Sequence, residues 1–350
     1  MTNTQFVRVL VVDDSAYVRK VVTQMLSRSP FIDVIGTATN GREALDGVQE
    51  LQPDVVTCDL IMPELDGAGF VRTQMARRPV PIVLVSIASE SGEQVLSALD
   101  AGAVDFIQKP TALATDRLLE ISDELVEKVK VAAGAKPARL GRINGTSSDV
   151  AAVVQASVAR GAVDLVAIGI STGGPQALRK LIPRLPADFS VPLAVVLHMP
   201  VGYTDLYARK LDELSALHVV EAQDGQPLLP GSVYIAPAGR HLSFRRTHDG
   251  TVVTRLDVRP LDAMYRPSTD VMFQSAADVF GGRVLAVVMT GMGSDGRDGA
   301  AWIKARGGTI VTEAEESCVV YGMPRSIVEA GLSDAEVPLD EMVSAILARV

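Results

Sequence analysis

The run Val7-Arg8-Val9-Leu10-Val11-Val12-Asp13-Asp14 opens the chain's first regular element: a short, β-rich apolar segment closed by two adjacent carboxylates. A helical pattern follows at Ser15–Ser27, and the same alternation continues through Val34–Ala38, Arg42–Leu51, Val55–Cys58, Gly67–Arg77, Ile82–Ser86, Ser91–Ala101, Asp105–Ile107 and Ala114–Val131. Five short apolar runs alternating with five amphipathic stretches predict an α/β unit, a doubly wound parallel sheet over residues 1–130. In such sheets functional groups gather at the carboxyl ends of the strands, where strand order reverses.

Working outward, the composition shifts to Ala, Gly, Lys, Pro, Arg, Ser and Asn between residues 131 and 162, which predicts a linker, with a short helix at Val150–Arg160. A second βα series over residues 163–350 begins with Asp164–Gly169 and continues through Leu193–Leu197, Arg283–Met289 and Thr309–Thr312. This predicts a second doubly wound, mostly parallel sheet. Ser232–Ile235, His241–Arg246 and Thr251–Asp257 read as antiparallel strands, the last two joined by an Asp249-Gly250 turn.

At 350 residues the chain exceeds one ordinary core, and 47% hydrophobic with 21% charged residues is the composition of a folded protein. A net charge of -9 excludes the broad basic footprint that nucleic acid requires. The two cysteines, Cys58 and Cys318, show neither disulfide nor zinc spacing and suit a reducing cytosol. No export signal and no 18-residue apolar stretch is present, so a cytoplasmic location is expected.

Two constellations carry chemistry. In the first, Asp13 and Asp14 end one strand, Asp59 the third, Ser86 the fourth, and Lys109-Pro110 the fifth. Three carboxylates on one rim suit Mg²⁺, which takes oxygen ligands and keeps waters. Asp59 is then placed to attack a phosphoryl group, with Lys109 offsetting its charge and Ser86 bonding a phosphoryl oxygen. Taken singly, each carboxylate reads equally as a cap where a strand meets a helix.

In the second, Asp164-Leu165-Val166-Ala167-Ile168-Gly169-Ile170-Ser171-Thr172-Gly173-Gly174-Pro175 runs from a buried strand through a tight turn into a helix and satisfies G-x-S-x-G. On its own this segment reads equally as a phosphate-binding or a packing turn. Of four histidines, His198 ends the strand Leu193–Leu197 and shares the rim with Ser171, whereas His218, His241 and His248 fall in segments resembling a surface loop or an antiparallel ribbon. The turn Thr290-Gly291-Met292-Gly293-Ser294-Asp295-Gly296 supplies a carboxylate, Asp295, to orient the histidine, and the Met292 amide as an oxyanion donor alongside the amides near Thr172. Asp298 competes with Asp295 for that role. The chain order Ser, His, Asp departs from that of α/β-hydrolases.

These residues also carry resemblances. Val11–Ser15, Asp59-Leu60-Ile61-Met62-Pro63 through Asp66-Gly67, Ser86 and Ala101–Pro110 resemble a two-component receiver domain of flavodoxin-like (βα)5 fold. The resemblance implies phosphorylation of Asp59 by a histidine kinase, with Phe106 reorienting together with Ser86; Phe106 reads equally as plain core. Gly169–Pro175, His198-Met199-Pro200, Ala236-Pro237, Arg266-Pro267-Ser268-Thr269-Asp270, Thr290–Gly296 and Tyr321-Gly322-Met323-Pro324 extend the likeness to chemotaxis protein-glutamate methylesterases of the CheB type. That implies hydrolysis of glutamate methyl esters on methyl-accepting chemoreceptors, often with glutamine deamidation, raised when the receiver aspartate is phosphorylated by the chemotaxis kinase. It implies contact with membranes only through the receptors. Three residues depart from the commoner pattern: Ile61 where an acid is frequent, Leu197 where Gln is common, and Tyr265 where His frequently precedes Arg-Pro-Ser. Two rivals are a phosphorylation-dependent docking scaffold built on a retired esterase and a transcriptional regulator; the second lacks a helix-turn-helix pattern and a basic surface.

Overall fold

In a computed structural model of the protein, residues 6–86, 92–109, 115–135 and 163–350 are described. The chain divides into two compact units, Met1–Ile143 and Asn144–Val350. The expected helix at Val150–Arg160 lies outside the described residues.

In the first unit, β1 (Val7–Val12), β2 (Ile32–Ala38), β3 (Val55–Cys58), β4 (Ile82–Ser86) and β5 (Asp105–Gln108) alternate with α1 (Ala16–Leu26), α2 (Gly41–Leu51), α3 (Gly67–Arg77), α4 (Gly92–Asp100) and α5 (Thr115–Gly134). All pairings are parallel, in the order β2-β1-β3-β4-β5. β3 and β4 are buried along their whole length, as expected of central strands covered on both faces. Helix starts follow from local chemistry: Ser15, Asn40 and Asp66 accept backbone N–H bonds as N-caps of α1, α2 and α3. α5 continues to Gly134, four residues past the expected domain boundary at residue 130.

The second unit holds β6 (Leu165–Ile170), α6 (Gly174–Leu181), β7 (Leu193–Leu197), α7 (Thr204–Leu214), β8 (His218–Glu221), β9 (Ser232–Ile235), β10 (His241–Arg246), β11 (Val252–Asp257), α8 (Thr269–Phe280), β12 (Val284–Val288), α9 (Arg297–Ala305), β13 (Thr309–Glu313), α10 (Met323–Glu329), β14 (Ala335–Val337) and α11 (Leu339–Leu347). Seven strands pair in the order β14-β13-β12-β6-β7-β9-β8, every pairing parallel. The chain starts in the middle at β6, runs out through β7 and β9, then returns to β12 on the other side. This reversal opens a crevice beyond the carboxyl ends of β6, β7 and β12.

One correction concerns β9. Ser232–Ile235, expected to be antiparallel, pairs parallel with both β7 and β8. All four of its residues are buried, so it is an inner strand of the main sheet. β10 and β11 do form the expected antiparallel hairpin, as a separate two-stranded sheet. It closes the core over α8, where Leu242 and Phe244 join Met272, Phe273, Phe280, Ala286 and Met323 in one apolar cluster.

Candidate active site

The receiver-type rim lies at the carboxyl ends of β1, β3 and β5. Asp13, Asp14 and Asp59 bring carboxylate oxygens within 4.8 Å of one another. The Nζ of Lys109 sits 2.6 Å from Asp13 Oδ2 and 2.8 Å from Asp59 Oδ2. The Leu60 amide donates to Asp59 Oδ1 at 2.7 Å, and the Ser15 amide to Asp13 Oδ1 at 2.9 Å. Burial pushes the Asp59 carboxyl above its usual range, and the Lys109 ammonium only partly offsets that. For Lys109 burial acts downward, but the two carboxylates outweigh it and hold the ammonium more firmly protonated. Asp13, Asp59, Ser86, Phe106 and Lys109 are buried, while Asp14 is exposed. Hard carboxylate oxygens so close together, with one open to solvent, form a donor set that can hold a divalent metal.

The second site is built at the crevice. β6 ends at Ile170 opposite Leu197 of β7, and the His198 amide donates to the Ile170 carbonyl at 3.1 Å, so Ser171 and His198 are neighbours just past their strands. On the other side, the Ser171 amide donates to the Thr290 carbonyl at 3.0 Å. Gly173 then takes φ +79°, a left-handed conformation that lets the chain turn at once into α6. Gly291 is equally required: a Cβ there would stand 2.8 Å from Ser171 Cβ and 2.5 Å from Met323 Sδ. The Gly-rich turn after β12 therefore lies directly against the serine.

His198 Nε2 and Asp295 Oδ2 are 2.8 Å apart, and both side chains are nearly closed to solvent. Asp295 also accepts from the Ser268 hydroxyl at 2.8 Å and from the amides of Thr269 (2.6 Å) and Asp270 (3.1 Å). Burial alone would raise its pKa, but the His198 hydrogen bond and charge, with those two amides, bring it down to about 2. An ionised Asp295 only accepts, so Nε2 must carry the proton. Nδ1, on the other side of the ring, is buried without a hydrogen-bond partner. The Asp295 contact thus fixes the ring with Nε2 toward the carboxylate and Nδ1 turned away from it. The nitrogens exchange the roles they have in the Ser-His-Asp arrangement of chymotrypsin. Asp298 is exposed and bonded to Arg297, whereas Asp295 holds His198.

Family models match both parts of the chain: "CheB methylesterase" over residues 166–346 and "response regulator receiver domain" over residues 9–121. The chain is 49% identical over 346 residues, 98% of each chain, to protein-glutamate methylesterase/protein-glutamine glutaminase 5 of Myxococcus xanthus. It is 44% identical over 343 residues, 97% of this chain and 98% of the other, to the protein-glutamate methylesterase/protein-glutamine glutaminase of Geobacillus kaustophilus. The chain belongs to the CheB methylesterase family. Among solved structures it resembles the CheB methylesterase catalytic domain of Thermotoga maritima, at TM-score 0.52 and 41% identity over 54% of this chain and 99% of that one.

Against the CheB pattern, the three departures fall in different surroundings. Tyr265 lies flat on His198, ring centroids 4.3 Å apart and planes 13° from parallel. Leu197 is fully buried and lies beside Gly174, at whose position a Cβ would meet its Cδ1 at 2.6 Å. Ile61 is half exposed beside the Asp59 rim.

Several residues that support the CheB-type site went unassigned in the sequence. Buried His241, placed in a ribbon, accepts the Ser268 amide at Nδ1 (3.2 Å) and holds the Pro260 carbonyl through Nε2 (3.1 Å). Glu313 is fully buried at the end of β13 and accepts the Thr290 amide (2.9 Å) and the Ser317 hydroxyl (2.9 Å). The Thr290 hydroxyl in turn donates to the Thr172 carbonyl at 2.9 Å. An acid closing the apolar run Ile310–Thr312 was the available signal for Glu313. For His241 nothing local distinguished it from a surface strand residue.

Proposed function

We propose that the chain is a phosphorylation-regulated protein-glutamate methylesterase that hydrolyses γ-glutamyl methyl esters on methyl-accepting chemoreceptors and deamidates glutamines there, serving adaptation in chemotaxis-type signalling. The observation that carries this reading is the His198–Asp295 pair, which leaves Nδ1 of the histidine without a hydrogen-bond partner on a residue that, like Ser171, directly follows one of two paired strands. Nδ1 takes the Ser171 proton, and the hydroxyl oxygen attacks the ester carbonyl. The amides of Thr172 and Met292 receive the oxyanion. Protonated His198, stabilised by Asp295, returns the proton to the departing methoxide, and methanol leaves. Water, activated by the same nitrogen, then releases the glutamate side chain; with a glutamine substrate the leaving group is ammonia.

Residues 1–130 act as the receiver, residues 131–162 as the linker and residues 163–350 as the catalytic domain. A chemotaxis histidine kinase donates a phosphoryl group to Asp59. Mg²⁺ held by Asp13, Asp14 and Asp59 would supply the charge that offsets the phosphoryl oxygens. Lys109 adds its own charge there, Ser86 bonds a phosphoryl oxygen, and Phe106 reorients with Ser86. No described helix is long and apolar enough to cross a membrane, and the chain meets membranes from the cytoplasm through its receptors.

The test is methanol release from methyl-labelled chemoreceptor membranes, with and without Mg²⁺ and a small phosphodonor. Wild type releases methanol, faster with phosphodonor, and Ser171→Ala and His198→Ala fall by about three or more orders of magnitude with the fold intact. Turnover near wild type in either variant would overturn the assignment. Absence of release in wild type, with Asp59 still phosphorylated, would favour a docking scaffold.

A further inference from the structure

The segments that hold the catalytic pair also present an unusual surface. Residues 258–264, between β11 and Tyr265, expose Val258 (46%), Leu261 (68%) and Met264 (87%). Three large apolar side chains this open within seven consecutive residues offer a partner apolar surface to bury. The loop is fixed rather than dangling. His241 bonds the Pro260 carbonyl on one side and the Ser268 amide on the other, and the Gly239 amide donates to the Arg266 carbonyl at 3.0 Å. Three stretches are thereby stapled together: the Gly239–His241 turn, the 258–264 loop and the Arg266–Ser268 segment.

Each stretch contributes one arginine, Arg240, Arg259 and Arg266. Arg240 and Arg259 are exposed, and among the described residues none of the three forms an ion pair. The Arg266 Nε lies buried without an acceptor while its Nη2 donates to the Leu261 carbonyl at 3.1 Å. The neighbouring acids differ in state: Asp257 is paired with Arg255, whereas Asp262 is exposed in the loop itself. Two exposed guanidiniums without an ion pair, Arg240 and Arg259, with the half-buried Arg266 behind them, outweigh the exposed carboxylate of Asp262 and form a local positive collar in a chain of net charge -9. The collar is continuous with the catalytic centre, because Tyr265 lies on His198 and Ser268 bonds Asp295.

We infer that Leu261, Met264, Arg240, Arg259 and Arg266 form the docking surface for an acidic amphipathic helix that carries the scissile glutamyl ester. This deepens the methylesterase reading and rests on it. This surface calls for an occupant with carboxylates beside the ester and an apolar stripe a turn away, and one helix can carry both. The arginines complement the first, bidentately where geometry allows, and Leu261 with Met264 complements the second. Charge of this kind at the edge of a site raises the encounter rate and is weakened by salt.

The experiment compares full-length wild type with Leu261→Ser/Met264→Ser and with Arg240→Glu/Arg259→Glu. Two substrates are used: chemoreceptor membranes, and p-nitrophenyl acetate, which needs only the catalytic centre. Both variants should lose about tenfold or more in kcat/KM on receptors while p-nitrophenyl acetate turnover stays within about twofold, and the charge-reversed variant should lose most of wild type's salt sensitivity. Receptor kcat/KM within about twofold of wild type in both variants would overturn the docking surface while leaving the esterase standing. Parallel loss on both substrates would overturn it too, since the residues would then support the catalytic centre itself. Wild type inactive on both substrates would overturn the hydrolase reading and the docking surface with it.

Discussion

The Tyr265 ring that covers His198 bears on catalysis because a base that works from Nδ1 must keep its plane fixed while a proton moves. Nε2 is anchored to Asp295, which leaves rotation about that hydrogen bond as the remaining freedom, and a flat stack opposes it. Aromatic stacking contributes on the order of 1 kcal/mol, about a fivefold effect on rate if it is all expressed in the transition state. Tyr265→Phe should keep kcat within about threefold, and Tyr265→Ala should lower it by about five- to tenfold with little change in KM. Steady-state kinetics on receptors checks this. Acid stability has its own sign. The folded-state pKa of Asp295, about 2, lies below the ordinary carboxylate value, so this group stabilises the fold above pH of about 4 and that contribution is lost as pH falls from about 4 towards 2. Asp270, raised to about 6 by burial ahead of repulsion from Asp295, acts oppositely: acidification from about 6 to 4 relieves the cost of its buried charge. Denaturant midpoints should therefore fall less steeply below pH of about 4 in Asp295→Asn than in wild type. Ser171 and His198 stand out in the sequence because each directly follows an apolar run, and Asp295 because it lies in the glycine-rich turn after another. The choice between Nε2 and Nδ1 does not, since it depends on which side of the ring Asp295 approaches.

Among the elements, β13 does more than add a strand. Its last residue, Glu313, holds the Thr290 amide, and Thr290 ties the turn after β12 to the turn after β6, so one buried carboxyl organises both loops that flank Ser171. Burial pushes this carboxyl above its usual range, and the Thr290 amide and Ser317 hydroxyl only partly offset that, so a neutral side chain of the same shape is well suited to the place. Glu313→Gln should stay within about 1 kcal/mol of wild type, whereas Glu313→Ala leaves a buried amide unpaired and should cost about 1–3 kcal/mol with a parallel fall in kcat. Chemical denaturation and receptor demethylation, measured on both variants, check the pair. Strands with strong apolar runs, such as Leu193–Leu197 and Ile82–Ser86, were read from the sequence with their observed bounds. Pairing partners were harder. β9 carries the same pattern that an antiparallel strand would, and only the crossover through α7 and β8 makes it parallel. The edge strands β8 and β14 were missed because each is short and half polar, so little periodicity survives in them.

For the whole molecule, the same rule operates twice: each unit winds outward from a central strand, and each puts its reactive carboxylate or hydroxyl where the winding reverses. The first unit places Asp13 and Asp59 directly after β1 and β3, and the second places Ser171 and His198 directly after β6 and β7. Each unit has its own sheet and buried core, and a relative's catalytic domain has been crystallised by itself, so residues 163–350 should fold when cut free. This separates catalysis from its control. Among the described residues, the hydrogen bonds that hold Ser171, His198 and Asp295 are all made within residues 163–350, so the excised catalytic unit should hydrolyse receptor esters without Mg²⁺ or phosphodonor. If the unphosphorylated receiver restrains the site, the excised unit should be faster than the unphosphorylated full chain and indifferent to phosphodonor, while Asp59→Asn in the full chain should stay at the slow basal rate. Methanol release from these three proteins, with and without phosphodonor, decides the matter. An excised unit slower than the unphosphorylated full chain would mean that the receiver activates by contact rather than by release.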